Sequence, residues 1–107
     1  MDLYHPGTIA VIFCAQRTQS DDEGYAAAAD MMSGLAAQQP GYLGHDSTRS
    51  PDGLGITVSY WKDDDDAAKS WRDHPIHSAI REQARDKWYE NYTLHVVQIE
   101  RSYAWAK

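Results

Sequence analysis

The chain has 107 residues, with 10 Lys and Arg against 16 Asp and Glu, for a net charge of −6 at pH 7. This length predicts one domain over residues 1–107, and the acidic balance argues against nucleic acid as a partner. Because no stretch approaches the ~18 uninterrupted apolar residues of a membrane span and the N-terminus has no basic leader, we expect a soluble, cytoplasmic protein with no membrane partner.

The first apolar run, Thr8 to Gln16, predicts a central strand because both of its alternating sets of residues are apolar. It contains the single cysteine, Cys14, which has no second cysteine to pair with and is expected to be a buried, inert thiol. Ser20 or Asp21 then caps a predicted helix that runs to about Gln39.

A hairpin is predicted next. Tyr42 to Arg49 is a weak strand, and Ser50-Pro51-Asp52-Gly53 has the residues of a tight turn, since Pro fixes φ and Gly accepts positive φ. Gly55 to Lys62 returns as an alternating strand. It ends in Tyr60 and Trp61, which must point to opposite faces of the sheet.

Two helical segments follow the hairpin. The acidic run Asp63 to Asp66 is interpreted as the solvated start of a short helix that carries Trp71. A second helix is predicted to begin at Pro75, with His74 or Asp73 as its cap. Its apolar stripe repeats every four residues and comprises Ile76, Ile80, Ala84 and Trp88. The adjacent polar stripe comprises His77, Arg81 and Arg85.

A last strand is predicted from Tyr92 to Tyr103. The element order is therefore β-α-β-β-α-β, which indicates an α+β, ferredoxin-like sandwich with one antiparallel sheet and helices on one face. The first strand is nevertheless apolar on both faces, and an exposed apolar sheet face marks an interaction site. We therefore expect a homodimer packed sheet to sheet, forming a dimeric α/β barrel.

The segment from Ser59 to Tyr103 resembles the antibiotic biosynthesis monooxygenase family of dimeric α/β barrels. The motifs that carry the resemblance are Tyr60-Trp61, Trp71, His74-Pro75-Ile76-His77, Trp88-Tyr89 and Glu100-Arg101-Ser102-Tyr103, and the match extends upstream through Pro40-Gly41-Tyr42-Leu43-Gly44 and Asp52-Gly53-Leu54-Gly55-Ile56. The resemblance covers nearly the whole chain.

The resemblance implies a ligand pocket between the sheet and the helices, with Trp71 against the bound ring system. The family includes cofactor-independent monooxygenases of polycyclic aromatic substrates, haem-degrading enzymes and small-molecule isomerases. The fold alone therefore does not identify the reaction. Haem-degrading members need a histidine ten residues after this tryptophan and an asparagine on the first strand. This chain has Arg81 at the first position and only Asn91 as asparagine, which disfavours haem degradation.

The predicted catalytic residues are His77, as a general base with a pKa near neutral, and Trp71, as the aromatic wall of the pocket. The ligand-binding candidates are Tyr60, Trp61, His74, Trp88 and His95. Each has a structural alternative: the tryptophans can be core residues, His74 a helix cap and His77 a surface histidine. His95 can face either the pocket or the dimer interface.

No phosphate-binding loop, flavin signature or complete metal-ligand set is present in the sequence, so we expect neither a cofactor nor a metal. The predicted function is that of a cofactor-independent monooxygenase of an aromatic or quinone-forming metabolite. The alternative is a non-catalytic protein that binds a hydrophobic or aromatic small molecule in the same pocket. A third interpretation has His74 and His77 binding haem or a metal.

Overall fold

The computed structural model describes residues 3–63 and 67–107. In chain order its elements are β1 (Ile9–Arg17), α1 (Asp22–Ala37), β2 (Tyr42–Arg49), β3 (Leu54–Trp61), α2 (Ala67–Arg72), α3 (Pro75–Lys87) and β4 (Tyr89–Gln98). The strands form one antiparallel sheet in the order β2-β3-β1-β4. The predicted α+β ferredoxin-like plan, with a second helix broken into two pieces, is confirmed.

The two faces of the sheet have different neighbours. Ala15 of β1 lies opposite Tyr92 of β4, and directly opposite residues share a face. The Tyr92 hydroxyl accepts a hydrogen bond of 2.6 Å from Nε of Arg85 on α3, so this face, the helix side, lies under the helices. The other face is the open side. On β1 the helix side presents Ile9, Val11, Phe13 and Ala15, and the open side presents Ala10, Ile12, Cys14 and Gln16.

Both long helices begin at side-chain caps. The Asp21 carboxylate accepts the Gly24 amide at 3.1 Å, and Asp21 itself has a φ of 54°, which a short polar residue tolerates. At α3, the ring nitrogen Nδ1 of His74 accepts the Ile76 amide at 3.2 Å, with Pro75 in the first turn. The predicted His74 cap is therefore confirmed.

The predicted helix start at the acidic run falls mainly outside the described residues, which exclude Asp64 to Asp66. Asp63 lies in a bend before α2. The predicted bounds of the last strand, Tyr92 to Tyr103, were wrong. The strand begins at Tyr89, which pairs with Arg17 across a bulge as soon as the chain leaves α3.

The last strand ends at Gln98, opposite Ile9. Beyond that point only the residues just before β1 offer partners: the Ile99 amide donates to the Thr8 carbonyl at 2.9 Å, and the Gly7 amide donates to the Ile99 carbonyl at 2.8 Å. Residues 99–107 therefore have no regular structure. Their aromatic rings are solvent-exposed, Tyr103 to 92% and Trp105 to 81%.

The buried apolar residues of the described chain are two tryptophans and three alanines: Trp61, Trp88, Ala10, Ala15 and Ala84. Larger apolar side chains remain exposed on both faces of the sheet. Leu94 and Val96 are exposed on the helix side, and Leu54, Ile56 and Val97 on the open side. None of the described helices combines the length and the apolar character needed to cross a bilayer.

Candidate active site

Trp71 and His77 lie against each other at the junction of α2 and α3. The chain leaves α2 at Arg72 and enters α3 at Pro75, so a two-residue connection brings the last turn of one helix onto the first turn of the next. The indole and imidazole stack with ring centroids 4.6 Å apart and planes 25° apart. Nδ1 of His77 also lies 2.9 Å from the carbonyl oxygen of Trp71.

These contacts define the protonation state of the imidazole. A carbonyl oxygen only accepts hydrogen bonds, so Nδ1 of His77 carries the proton and Nε2 has a free lone pair. Burial lowers the pKa of His77 below its ordinary value of 6.5, against the opposing effect of the Trp71 carbonyl, and the positive charge of Arg81 lowers it further. His77 is therefore neutral at pH 7, with Nε2 available as a base.

Arg81 lies one turn along α3 from His77. Its Nη1 donates to the Arg72 carbonyl and its Nη2 to the Ser78 hydroxyl, each at 3.4 Å. Its Nε is buried and has no hydrogen-bond partner within residues 3–63 and 67–107. The ion pairs found in those ranges involve other arginines, namely Arg17, Arg72 and Arg85.

His74 is engaged in the helix cap rather than poised for chemistry. Since a backbone amide only donates, Nδ1 of His74 accepts from Ile76 and its proton resides on Nε2. The His74 ring also lies 5.5 Å from that of Trp71. Over the part of the chain that the structure describes, no group of three or more His, Cys, Asp or Glu side chains is placed to hold a metal ion.

An exposed apolar surface lies on the same side of the sheet as these residues. Helix α3 packs on β4, yet Leu94 and Val96, which face the helix side of that strand, remain 47% and 61% exposed. Apolar side chains left open beneath a helix layer can contact an apolar ligand. The helix side thus combines a base, an aromatic ring and apolar surface.

Two of the predicted ligand-binding residues are in the core. Trp61 is completely buried on the helix side, and its indole nitrogen donates to the Ser59 hydroxyl at 2.9 Å. Trp88 is 3% exposed, and its indole nitrogen donates to the Asp21 carboxylate at 3.3 Å. Since neither ring has free surface, both act as core residues in this structure.

Two others lie across the sheet from His77. Tyr60 faces the open side, where its ring stacks on Tyr4 at 3.8 Å and its hydroxyl donates to Asp46 at 3.0 Å. His95, opposite Ile12 on β1, is exposed on the same side. The prediction that Tyr60 and Trp61 point to opposite faces is confirmed. Tyr60 lines a shallow groove of about 470 Å³ with Leu3, Tyr4, Ile99, Arg101, Ser102 and Tyr103.

A second polar cluster surrounds Tyr25 of α1 and was not predicted from the sequence. The Arg17 side chain is only 5% exposed, its guanidinium carbon lies 3.9 Å from the centre of the Tyr25 ring, and its Nη2 donates to Asp22 at 2.8 Å. The Tyr25 hydroxyl accepts hydrogen bonds from Arg49 and from Tyr89. Burial raises the pKa of Tyr89 well above its ordinary value, so this phenol stays protonated.

Four antiparallel strands in the order β2-β3-β1-β4, with helices on one face and a histidine-tryptophan pair at a helix junction, define an α+β protein of the ferredoxin-like class. Comparison with known protein families agrees with this fold class. The chain belongs to the antibiotic biosynthesis monooxygenase family, whose model matches residues 9–83.

Individual relatives extend the comparison over most of the chain. The uncharacterized protein YqjZ of Bacillus subtilis (strain 168) is 47% identical over 96 residues, which cover 90% of this chain and 82% of YqjZ. SnoaB from Streptomyces nogalater, described as a cofactor-independent oxygenase, superimposes with a TM-score of 0.73 at 13% identity, over 89% of this chain and 95% of SnoaB.

A second solved structure, Rv0793 from Mycobacterium tuberculosis, superimposes with a TM-score of 0.77 at 16% identity, over 91% of this chain and 99% of Rv0793. At such identities the two superpositions establish a shared fold.

Proposed function

We propose that this protein is a cofactor-independent monooxygenase of an aromatic or quinone-forming small molecule, with His77 as the base and Trp71 as the aromatic wall. One observation carries the proposal: His77 is neutral, and its Nδ1–H bond to the Trp71 carbonyl leaves Nε2 free. A half-buried base with a fixed tautomer is suited to removing a proton from a bound substrate near neutral pH.

In such a reaction the substrate supplies the electrons. Nε2 of His77 removes a proton from the CH₂ group of an anthrone-like substrate, and the resulting carbanion passes one electron to dioxygen. The radical pair combines to a peroxide anion bound to the ring carbon, and the imidazolium protonates this anion to a hydroperoxide. Loss of water then gives the quinone carbonyl, so one oxygen atom enters the product and the other leaves as water.

The side chains on the helix side of the sheet favour a flat, apolar substrate. The indole of Trp71 and the exposed side chains of Leu94 and Val96 are all on the helix side of the sheet. Aromatic and aliphatic surface binds an aromatic ring system and keeps water from a reactive anion. The oxygenase activity named for SnoaB, which shares the fold, supports the same reaction class.

We further propose that the protein works as a homodimer packed through the open side of the sheet. Leu54, Ile56 and Val97 are 47%, 41% and 41% exposed on that face. Large apolar side chains that are exposed on one sheet face, here on both strands that flank β1, are typical of an interaction site. A second copy offers the same face, and a symmetric pairing buries both.

Oxygen uptake with an anthrone tests the proposed reaction. Purified, metal-stripped protein is expected to consume oxygen and form the quinone with no added cofactor. His77→Ala should reduce kcat by about 100-fold, because general-base catalysis typically contributes that much or more. Trp71→Ala should weaken substrate binding while leaving the backbone carbonyl that orients His77 in place.

The matched control is His45→Gln, which removes a histidine of the helix side that lies on β2 rather than on α3. It should retain wild-type turnover. Turnover that is unchanged in His77→Ala would remove this residue from the mechanism.

The alternative is a protein that binds a hydrophobic molecule without transforming it. The exposed apolar surface at Leu94 and Val96 suits this role equally, since binding alone needs no base. Saturable binding of an anthrone with no oxygen uptake above the buffer rate would favour the binding protein. Binding with uptake that depends on His77 would favour the enzyme.

A further inference from the structure

The Nε atom of Arg81 is buried near His77 and has no hydrogen-bond partner within the described ranges. The two residues are four apart on α3, and side chains with this spacing are neighbours on a helix face, with Cβ atoms about 6 Å apart. Buried guanidinium groups normally find an acceptor for each N–H. An unpaired N–H beside a free base therefore suggests a place for a ligand acceptor.

The guanidinium is held in place by neutral groups. Its two terminal nitrogens donate to the Arg72 carbonyl and to the Ser78 hydroxyl, so no described carboxylate neutralises its charge. By contrast, Arg85, one turn further along α3, pairs with Glu82 and donates to the Tyr92 hydroxyl. Arg81 thus retains a positive charge that a bound anion can share.

Charge distribution along the chain points in the same direction. A net charge of −6 repels anionic ligands, so an anion needs a local concentration of positive charge. Helices α2 and α3, residues 67–87, contain half of the 10 Lys and Arg of the chain, with only three carboxylates. The five cations are Lys69, Arg72, Arg81, Arg85 and Lys87.

From these observations we infer that Arg81 binds the negative charge of the ligand beside His77, and that the preferred ligand is a planar aromatic anion such as an ionised phenol, enol or carboxylate. The inference rests on the proposed function, because it places the ligand at the same site. It also assigns a role in the reaction. Proton removal by His77 creates an anion, and a preorganised guanidinium stabilises that charge as it develops.

Two ring systems that differ only in charge test the inference. Isothermal titration calorimetry compares 2-naphthoate with the uncharged 2-naphthamide. Wild-type protein is expected to bind the carboxylate about tenfold more tightly, in keeping with one charge-assisted hydrogen bond. Arg81→Gln should abolish this preference while leaving the naphthamide affinity within about twofold.

Control variants separate charge from structure. Arg85→Gln removes a guanidinium from the same helix and should leave the tenfold preference intact, whereas Arg81→Lys should retain part of it because the positive charge remains. If Arg81→Gln fails to fold, the role of Arg81 is still tested by the preference of the wild type for the carboxylate and by the reduction of that preference in Arg81→Lys.

The outcomes distinguish this inference from the proposed function. Equal affinity of wild-type protein for both probes, or a preference that survives in Arg81→Gln, would overturn the role of Arg81 and leave the aromatic site standing. Failure of both probes to bind would overturn the aromatic site as well.

Discussion

His77 is held by Trp71 in two independent ways. Its ring stacks on the indole with centroids 4.6 Å apart, and its Nδ1 donates to the Trp71 backbone carbonyl at 2.9 Å. The first contact depends on the side chain and the second does not. Substitution of Trp71 therefore leaves the tautomer of His77 unchanged, which makes the two residues separable by mutation.

The depressed pKa of His77 predicts how stability depends on pH. The folded chain holds this imidazole neutral by burial, whereas the unfolded chain protonates it near the ordinary pKa of 6.5. The unfolded state therefore binds more protons as pH falls through 6.5, so the free energy of unfolding decreases on that side and is restored above it.

Urea unfolding of wild-type protein and His77→Gln between about pH 5 and pH 8, across the histidine range, measures this effect. The variant should show a shallower loss of stability on acidification. Equal slopes for the two proteins would mean that the imidazole is not desolvated in the folded state.

Neighbouring residues on β4 test the proposed dimer. Val97 faces the open side and Val96 the helix side, and both are exposed. Val97→Glu should convert the dimer to monomer, because two carboxylates would be brought into an apolar interface. Val96→Glu introduces the same charge one residue away and should leave the dimer intact. Light scattering after size-exclusion chromatography gives the masses; a monomeric wild type would contradict the proposal.

Trp61 is expected to be a major contributor to stability. It is the largest fully buried side chain of the described residues, at 0% exposure. Trp61→Ala should lower the free energy of unfolding by about 3–5 kcal/mol, the usual cost of removing a buried large aromatic side chain. Trp105→Ala removes an indole that is 81% exposed and should change stability by less than about 0.5 kcal/mol. Chemical denaturation compares the two; similar losses would be inconsistent with this core.

The arginine that is buried against Tyr25 should also matter more than an exposed one. Arg17→Ala removes a stacked guanidinium and the ion pair with Asp22, and should cost about 2–3 kcal/mol. Arg72→Ala breaks a 3.6 Å pair whose side chains are 65% and 55% exposed, and should cost less than about 1 kcal/mol. Thermal unfolding of both variants tests the ranking, which equal shifts in Tm would refute.

Much of the fold could be predicted from the sequence because its signals are local. The apolar run of β1, the turn residues Ser50 to Gly53 and the His74-Pro75 helix start each specify local structure without tertiary information. The end of the last strand could not be predicted in this way. It depends on where the first strand and the residues before it stop offering hydrogen-bonding partners, at Gly7, which is a relationship between distant parts of the chain.

The candidate site was predicted in part. The helix junction that joins Trp71, His74 and His77 follows from their spacing around Pro75. Spacing in the sequence does not show whether a tryptophan belongs to the core or lines a pocket. Only their burial in the structure identifies Trp61 and Trp88 as core residues, unlike Trp71. Arg81 was predicted as a residue of the polar stripe, but its unpaired Nε is visible only in three dimensions.

Strand β4 lies at the edge of the sheet with exposed apolar side chains on both of its faces. Edge strands of this composition are templates on which further chains can add by backbone pairing. A partner subunit covering Val97 and a ligand covering Leu94 and Val96 would together remove the exposed apolar surface that favours such addition. Occupancy of both surfaces would then protect the protein in a crowded cell, where a dissociated, empty subunit is the species most prone to aggregate.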